Sequence, residues 1–494
     1  MILALALCLI MVQPALGLPG GAAPARAAAE DAPQAVTSSQ TGSVKGSVQC
    51  PDPCEAYDVV VIGSEIEGVL LARAAHDHGK KVLILDPRPK PGGQLLQGQM
   101  LVLDEPRDKN KNSLVQGRLK ELYDGYNNKK IRKLPEFEAF YYDVLGEVPI
   151  ESGIRITAYK TEPVGDIRKL VYLNYRGRDG QIHRVTADYW VENTDHAALT
   201  GILKLTRIPG LESLFRGGGP DPEYMSATYM LPLKDVDWNE FRRETMKLLP
   251  DIKTIREKYG PNTYVDGNFG TGFSYITQHY TPTSDRLRLR GLNMTYQRDG
   301  EVIINALLIF DVNPADPQSV REAVELGRNE APLVVEFLRK NLPGFGKAKL
   351  GKLPDYLYIR EFDRYETLYV LTRDDLMSSR MFPDNVSIGS YGIDIQATRR
   401  IKNGIGLGKP DRYGLPLRSF LLREMENVIV AGKNAGAAAD AYGSVRITPN
   451  TALAAEVIGI LIGREEKRLR ELDGNDFKRI HQYLEKDYKI YVRK

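Results

Sequence analysis

The chain has 494 residues, with 67 Lys and Arg against 64 Asp and Glu, a formal charge of +3. That length predicts two or three domains with ample core. The near-balance of charge, with no basic run, gives no electrostatic ground for a nucleic acid or an anionic membrane as partner. Six histidines without ligand spacing argue against a His-rich centre, and no metal site is expected.

Residues 1–27 open on MILALALCLIMVQPALGLPG, an apolar run of about a dozen positions. It is shorter than the roughly 20 residues of a spanning helix and suits a signal-peptide core. Ala15-Leu16-Gly17 or Ala25-Arg26-Ala27 offer cleavage sites, with a retained N-terminal anchor as the alternative. Residues 28–54 are rich in Ala, Pro, Ser and Thr and read as a disordered tether. The expected location is therefore extracellular or in the cell envelope. There the CPDPC stretch could close a small Cys50–Cys54 disulfide; no cysteine follows, so thiol catalysis within the fold is excluded.

YDVVVIGSEIEGVLLARAA, from Tyr57, predicts a buried strand over Asp58 to Ile62, a glycine turn and an apolar-periodic helix that Gly79 ends. KKVLILDPR follows as a second buried strand ending in Asp86, 23 residues after Gly63. That interval is close to the ~20 expected before an acid that accepts hydrogen bonds from ribose hydroxyls. Gly63 permits the tight turn, Gly68 permits close helix packing, and the helix N-terminus aims free N–H groups at a diphosphate. The second glycine of the usual G-x-G-x-x-G is replaced by Glu65. Gly92-Gly93 then falls in a loop beside the phosphate turn.

After a polar helical stretch, ESGIRITAYKTEPV, KLVYLNYRGRDG and QIHRVTADYWVENTD alternate as short strands, with a turn at Asp179-Gly180. A βαβ unit followed by an antiparallel meander resembles the glutathione-reductase type of FAD domain. Near the C-terminus, NVIVAGKNAGAAADAYGSVRITPN predicts a strand over Val428 to Ala431, a small and polar loop, and a helix opening at Pro449-Asn450-Thr451.

With these stretches in hand, the chain resembles the bacterial FAD-dependent oxidoreductase family. Its members open on an FAD βαβ unit and a Gly-Gly loop, carry an "IDATGD"-like strand mid-chain, and close in an "NLLVAGR…SIRVMPT" segment. Here these are Tyr57 to Gln94, WVENTDHAAL around Thr194-Asp195, and the stretch from Asn427; IREFDRYETLYVLTRDDL, from Ile359, matches a further segment. Lys433 stands for the usual arginine and ENTD for ATGD. The resemblance implies an α/β fold with a glutathione-reductase-type FAD domain and an inserted α+β substrate domain. It implies bound FAD, held by Gly63, Ser64, Glu65, Gly68, Asp86, Arg88, Gly92, Gly93, Gln94, Thr194, Gly432, Lys433, Arg446, Pro449, Asn450 and Thr451. Glu65 is expected to aim away from the diphosphate, because like charges in contact at a low-dielectric site cost several kcal/mol.

The expected division is 55–200 and 416–465 for the FAD domain, 201–415 for the substrate domain, and 466–494 for a helical tail with Phe477, Ile480 and Leu484 inward. RLRLRGLNMTYQ and EVIINALLIFDV predict a hairpin turning at Arg298-Asp299-Gly300, and Ser319 to Asn341 a helix stopped by Pro343-Gly344. GNFGTGF, from Gly267, and GIGLGKP, near Gly404, are expected to be plain loops, so no second nucleotide fingerprint is present. Arg360, as an anion clamp, and Tyr391, as a polarising or deprotonating group, are the candidates for work on substrate. The reading is an enzyme that moves a hydride from a small organic molecule to non-covalent FAD. The alternatives are an FAD-containing envelope protein without turnover and an NAD-dependent dehydrogenase, which the meander and the C-terminal segment argue against.

Overall fold

The computed structural model describes residues 54–215 and 221–493. The segment 1–27, Cys50 and nearly all of the tether lie outside the described residues. Cys54 is disulfide-bonded.

The first strand, β1 (Cys54–Ile62), starts four residues earlier than Asp58, because Cys54 to Tyr57 pair in register with Arg184 to Ala187. It leads into α1 (Ile66–His76) and β2 (Val82–Asp86), whose Val82 to Leu85 lie parallel against Val59 to Ile62. Three helices follow: α2 (Gly93–Leu96), α3 (Leu119–Asn127) and α4 (Leu134–Leu145). Then come β3 (Ile150–Ser152), β4 (Arg155–Val164), β5 (Ile167–Arg176) and β6 (Ile182–Glu192). The expected turn at Asp179-Gly180 is present, with Gly180 at φ +79°. β6 is the joint of a mixed sheet ordered β3-β2-β1-β6-β5-β4, parallel to β1 and antiparallel to β5.

A second seven-stranded sheet is antiparallel. Its elements are β7 (Ala227–Lys234), α5 (Trp238–Met246), α6 (Ile252–Tyr259), β8 (Tyr264–Val265) and β9 (Phe269–Gly272). They continue with α7 (Ser274–Thr277), β10 (Leu287–Leu289), β11 (Leu292–Arg298), β12 (Glu301–Ile309), α8 (Pro317–Asn341) and β13 (Lys349–Leu350). GNFGTGF is therefore not a plain loop but holds the strand β9. A Cβ on Gly270 would come within 3.1–3.3 Å of Met294, Trp238 and Phe241, so glycine there serves close packing. The hairpin turn falls at Arg298-Asp299-Gly300, all three at positive φ. α8 begins two residues before Ser319, with Asp316 as N-cap accepting from the Gln318 N–H at 2.9 Å.

Alternation gives this sheet two different faces. Ala227, Tyr229, Leu231, Leu289 and Ile304 pack in one apolar cluster with α5 and α8. Met230 and Ile303, one residue off in register, join the core of the first sheet instead. The second face therefore looks toward the βαβ unit.

The remainder holds α9 (Arg373–Met377), β14 (Asn385–Gly389), β15 (Asp394–Ile395), β16 (Ile405–Gly406), β17 (Tyr413–Pro416) and β18 (Val428–Val430). GIGLGKP departs from a plain loop only at β16, which pairs with β15. β18 joins the first sheet beside β6. α10 (Ala439–Val445) occupies the stretch expected to be a small and polar loop, where the alanines favour a short helix. α11 (Thr448–Arg464), with Pro449 in its first turn, is buried along nearly its whole length and crosses α1 closely: a Cβ on Gly459 would meet the Leu71 carbonyl at 2.3 Å. α12 (Gly474–Tyr483) buries Phe477 and Ile480 on the first core, and Leu484 beyond it does the same. Among the described residues no single helix is long and apolar enough to cross a membrane.

Candidate functional site

The β1–α1 turn is built as its sequence requires. Gly63 has φ +100°, and a Cβ there would strike the Asn193 carbonyl at 2.4 Å. Gly68 lies as close to the Asn193 side chain, whose Oδ1 accepts from the Gly68 N–H at 2.9 Å. Asp86, fully buried at the end of β2, accepts from the Ser64 hydroxyl and from the Arg88 backbone N–H at 2.8 Å. The Ser64 hydroxyl oxygen in turn accepts from the Gly92 N–H at 3.0 Å, tying the phosphate turn to the Gly-Gly loop. Gly92 and Gly93 are both at positive φ.

Glu65 does not turn outward. It is buried, and its carboxylate lies across the Gly-Gly loop, accepting from the Gln94 N–H at 3.1 and 3.2 Å and from the Arg88 guanidinium. A Cβ on Gly93 would sit 2.1 Å from Glu65 Oε1, so the glycine cradle is shaped around this side chain. The expectation that Glu65 points away from the diphosphate position fails because internal partners stabilise the charge. Arg88 also pairs with Asp86 at 3.0 Å and with Asp195 at 3.8 Å. Burial would raise the Asp195 carboxyl, but the His196 hydrogen bond and the Arg88 charge outweigh it and hold Asp195 well below the usual carboxylate range. Tyr356 completes the group by donating to Asp195 Oδ1 at 3.0 Å.

A second group converges from the far end of the chain. Gly432, at φ +63°, turns β18 into Lys433. The Lys433 ammonium donates to Gln94 Oε1 at 3.0 Å and to the Ile359 carbonyl at 2.6 Å. The Thr451 hydroxyl, in the first turn of α11, donates to Glu67 at 3.1 Å. Burial, reinforced by Glu65, pushes the Glu67 carboxyl up to about 7, and its second oxygen has no hydrogen-bond partner. Pro449 lines a cavity of about 40 Å³ together with Ile66, Gln94, Met100, Tyr358 and Lys433. This cavity lies where the N-termini of α1 and α11 meet the Gly-Gly loop.

Other candidates do different work. The Thr194 N–H and hydroxyl both donate to Glu192, which also accepts the Leu199 and Thr200 N–H groups; the glutamate of ENTD thus organises the loop after β6. Asn450 donates to the Ser444 carbonyl at 2.9 Å and ties α10 to α11. Arg446 donates to the Tyr358 hydroxyl at 3.0 Å. Arg360 reaches the Ser226 carbonyl at 2.9 Å, and Tyr391 donates to Asp104 at 2.8 Å. Glu67, Asp104, Arg290, Tyr356 and Tyr358 belong to these groups although sequence reasoning missed them. The two tyrosines lie in an irregular segment with no periodicity to expose them. Among the described residues no cluster of His, Cys, Asp and Glu could hold a metal ion.

A family model described as FAD dependent oxidoreductase matches residues 58–482. No curated protein matches the chain. Solved structures similar to it include a geranylgeranyl bacteriochlorophyll reductase-like protein from Thermoplasma acidophilum, at 11% identity and TM-score 0.32, covering 88% of this chain and 84% of that one. The p-nitrophenol 4-monooxygenase PnpA from Pseudomonas putida is 12% identical at TM-score 0.37, with 88% and 96% covered. The myxobacterial chondrochloren halogenase CndH is 11% identical at TM-score 0.36, with 88% and 80% covered. Scores this low assign no substrate to this chain.

Proposed function

The chain belongs to the FAD dependent oxidoreductase family, and from that premise we propose that it takes a hydride from a small organic substrate onto non-covalently held FAD. The observation that carries this reading is the meeting of two helix N-termini, the Gly-Gly loop and Lys433 around one cavity. The donor set fits the cofactor. Asp86 would take ribose hydroxyls in exchange for its bonds from Ser64 and Arg88, and the α1 N-terminus with the Gly92 to Gln94 amides would hold the diphosphate once Ser64 and Glu65 release those amides. The α11 N-terminus and Lys433, which line one cavity, would hold the ring. FAD supplies a ring that accepts hydride.

The rest is done by the chain's own groups. Lys433, pinned by Gln94 and the Ile359 carbonyl, holds a positive charge beside the α11 N-terminus, where it favours an electron-rich ring. Glu65 must release the Gln94 N–H before a phosphate can take it. The cavity is far below the ~300–1,000 Å³ of ordinary ligand pockets, so its lining must draw back as the cofactor enters. We place the protein outside the cytosol, a reading supported by the segment 1–27 and by the disulfide at Cys54, since such bonds persist in oxidising compartments.

The test is the visible spectrum of the purified protein before and after denaturation and filtration, followed by anaerobic titration with candidate substrates. A flavin spectrum that leaves with the filtrate, and that a substrate bleaches in the intact protein, is the expected result. A colourless chain that takes up no added FAD overturns it. The altered motif positions, Lys433 for arginine and ENTD for ATGD, favour one second reading, a flavin-holding protein without turnover; bound flavin that no metabolite reduces would decide for it.

A further inference from the structure

Three arginines from distant parts of the chain gather on the face of the second sheet that looks toward the βαβ unit. Arg290 follows β10 on the opposite side from Leu287 and Leu289, which pack with α5 and α8. Its guanidinium donates to Asn305 Oδ1 at 3.4 Å, and Arg360 donates to the same oxygen at 3.2 Å. Arg360 also lies over the Tyr358 ring, 4.4 Å from its centre, while Arg446 donates to the hydroxyl of that tyrosine. Arg360 is 2% exposed and Arg446 6% exposed, so little water screens them.

Opposing charge is scarce. Asp394 stands 3.9 Å from Arg446, and its backbone carbonyl accepts a weak bond of 3.4 Å. Asp104 is held by Tyr391, and burial raises its carboxyl above the ordinary range, which weakens it as a counter-charge. The arginines respond unequally: burial, opposed by Tyr358 and Asp394 and aided by the Arg290 and Arg446 charges, pushes the Arg360 guanidinium down to about 9, whereas Tyr358 and Asp394 outweigh burial and hold Arg446 above its ordinary value.

Several buried hydrogen-bonding atoms of these arginines, and of two residues whose backbones bond to Arg360 or Tyr358, have no partner. They are Arg290 Nε, Arg446 Nε, Ser226 Oγ and Thr228 Oγ1. Thr228, on the same face of β7 as Met230, and Ser226, just before the strand, are both buried and stand two residues apart. Buried polar atoms without partners cost stability, and such a set beside three arginines that face only two carboxylates marks a place for an anion with several acceptor lone pairs.

We propose that Arg290, Arg360 and Arg446, with the Ser226 and Thr228 hydroxyls, bind a carboxylate of the substrate. This rests on the oxidoreductase reading above and narrows its substrate to organic acids. Planar guanidinium forks match a carboxylate in two-point pairing. The site adjoins the ring cavity on two sides: Arg446, Tyr358 and Met100 line that cavity, and the Met100 sulfur is 3.9 Å from Asn305 Nδ2. A carboxylate held here presents the neighbouring carbon of the substrate toward the cavity.

The test is thermal unfolding of the full protein, with its flavin content read from the visible spectrum of the same samples. Acetate is compared with acetamide, and with sulfate and chloride at matched ionic strength. Acetate should raise the midpoint by on the order of 2–4 °C, with acetamide and chloride inactive, and the shift should vanish in Arg290→Gln. Arg360→Met should lose it too; Arg290→Gln, at a less buried position, carries the test if that variant does not fold. Equal shifts from acetate, sulfate and chloride, or an acetate shift that survives Arg290→Gln, overturn the proposal. Flavin-loaded protein with no response to acetate sinks the carboxylate site and leaves the flavin reading standing. An acetate response in chain that holds no flavin supports the site while the hydride reading fails.

Discussion

The two charged groups that flank the cavity are arranged by opposite rules. Around Arg88, a buried cation meets Glu65, Asp86 and Asp195, and nearly every polar atom is engaged. Around Arg360, Arg290 and Arg360 share one asparagine oxygen, Arg360 and Arg446 share one tyrosine, and four polar atoms have no partner. The first group is complete by itself and must be opened before anything binds. The second is incomplete and gains from a ligand. One molecule thus carries both a closed polar cluster, costly to break, and an open one, costly to leave as it is.

The largest effect should come from breaking the closed cluster. Arg88→Met leaves three buried carboxylates without their cation and should cost about 3–5 kcal/mol in urea unfolding. Glu67 comes next. Its folded carboxyl sits near 7 against an ordinary 4.5, so the folded state keeps a proton that the unfolded chain has lost between those values. Stability therefore falls as pH rises from 4.5 to 7, and the penalty is complete above 7. Glu67→Gln should stabilise by about 3 kcal/mol at pH 8 and by far less at pH 4.5, read as paired unfolding curves. Glu65→Gln should tighten FAD uptake about tenfold, because a neutral amide meets the diphosphate without repulsion; unchanged flavin affinity in equilibrium dialysis would refute this. The smallest effect tests the open cluster and has the opposite sign to Arg88→Met. Arg290→Gln should raise ligand-free stability by about 1 kcal/mol, and any loss in urea unfolding would mean that its charge is already matched.

Much of this architecture was legible in advance. Strand periodicity and turn glycines located the βαβ unit, Asp86, the hairpin at Arg298-Asp299-Gly300 and the helix opening at Pro449, since each depends on neighbours within a few residues. The direction of Glu65 was not legible, because its partner Arg88 is 23 residues away and the choice between inward and outward depends on that pairing. β9 was misread because its glycines lower strand propensity, while the contacts that require them come from Trp238, Phe241 and Met294. The arginine cluster had no local signature at all. Arg360 stood out only within the family-like segment, and its companions come from 70 residues before it and 86 after it.

The close crossing of α1 by α11 has a consequence for how the protein is made. The groove over Leu71 and Ala74 is covered by Gly459, which leaves the ribosome almost 400 residues later. At about 5–20 residues per second, the first helix waits on the order of tens of seconds for its partner. A nascent chain released before residue 448 would emerge with the α1 surface that α11 covers left bare, a natural target for chaperones and proteases. Synthesis of the last tenth of the polypeptide is thus what shields α1.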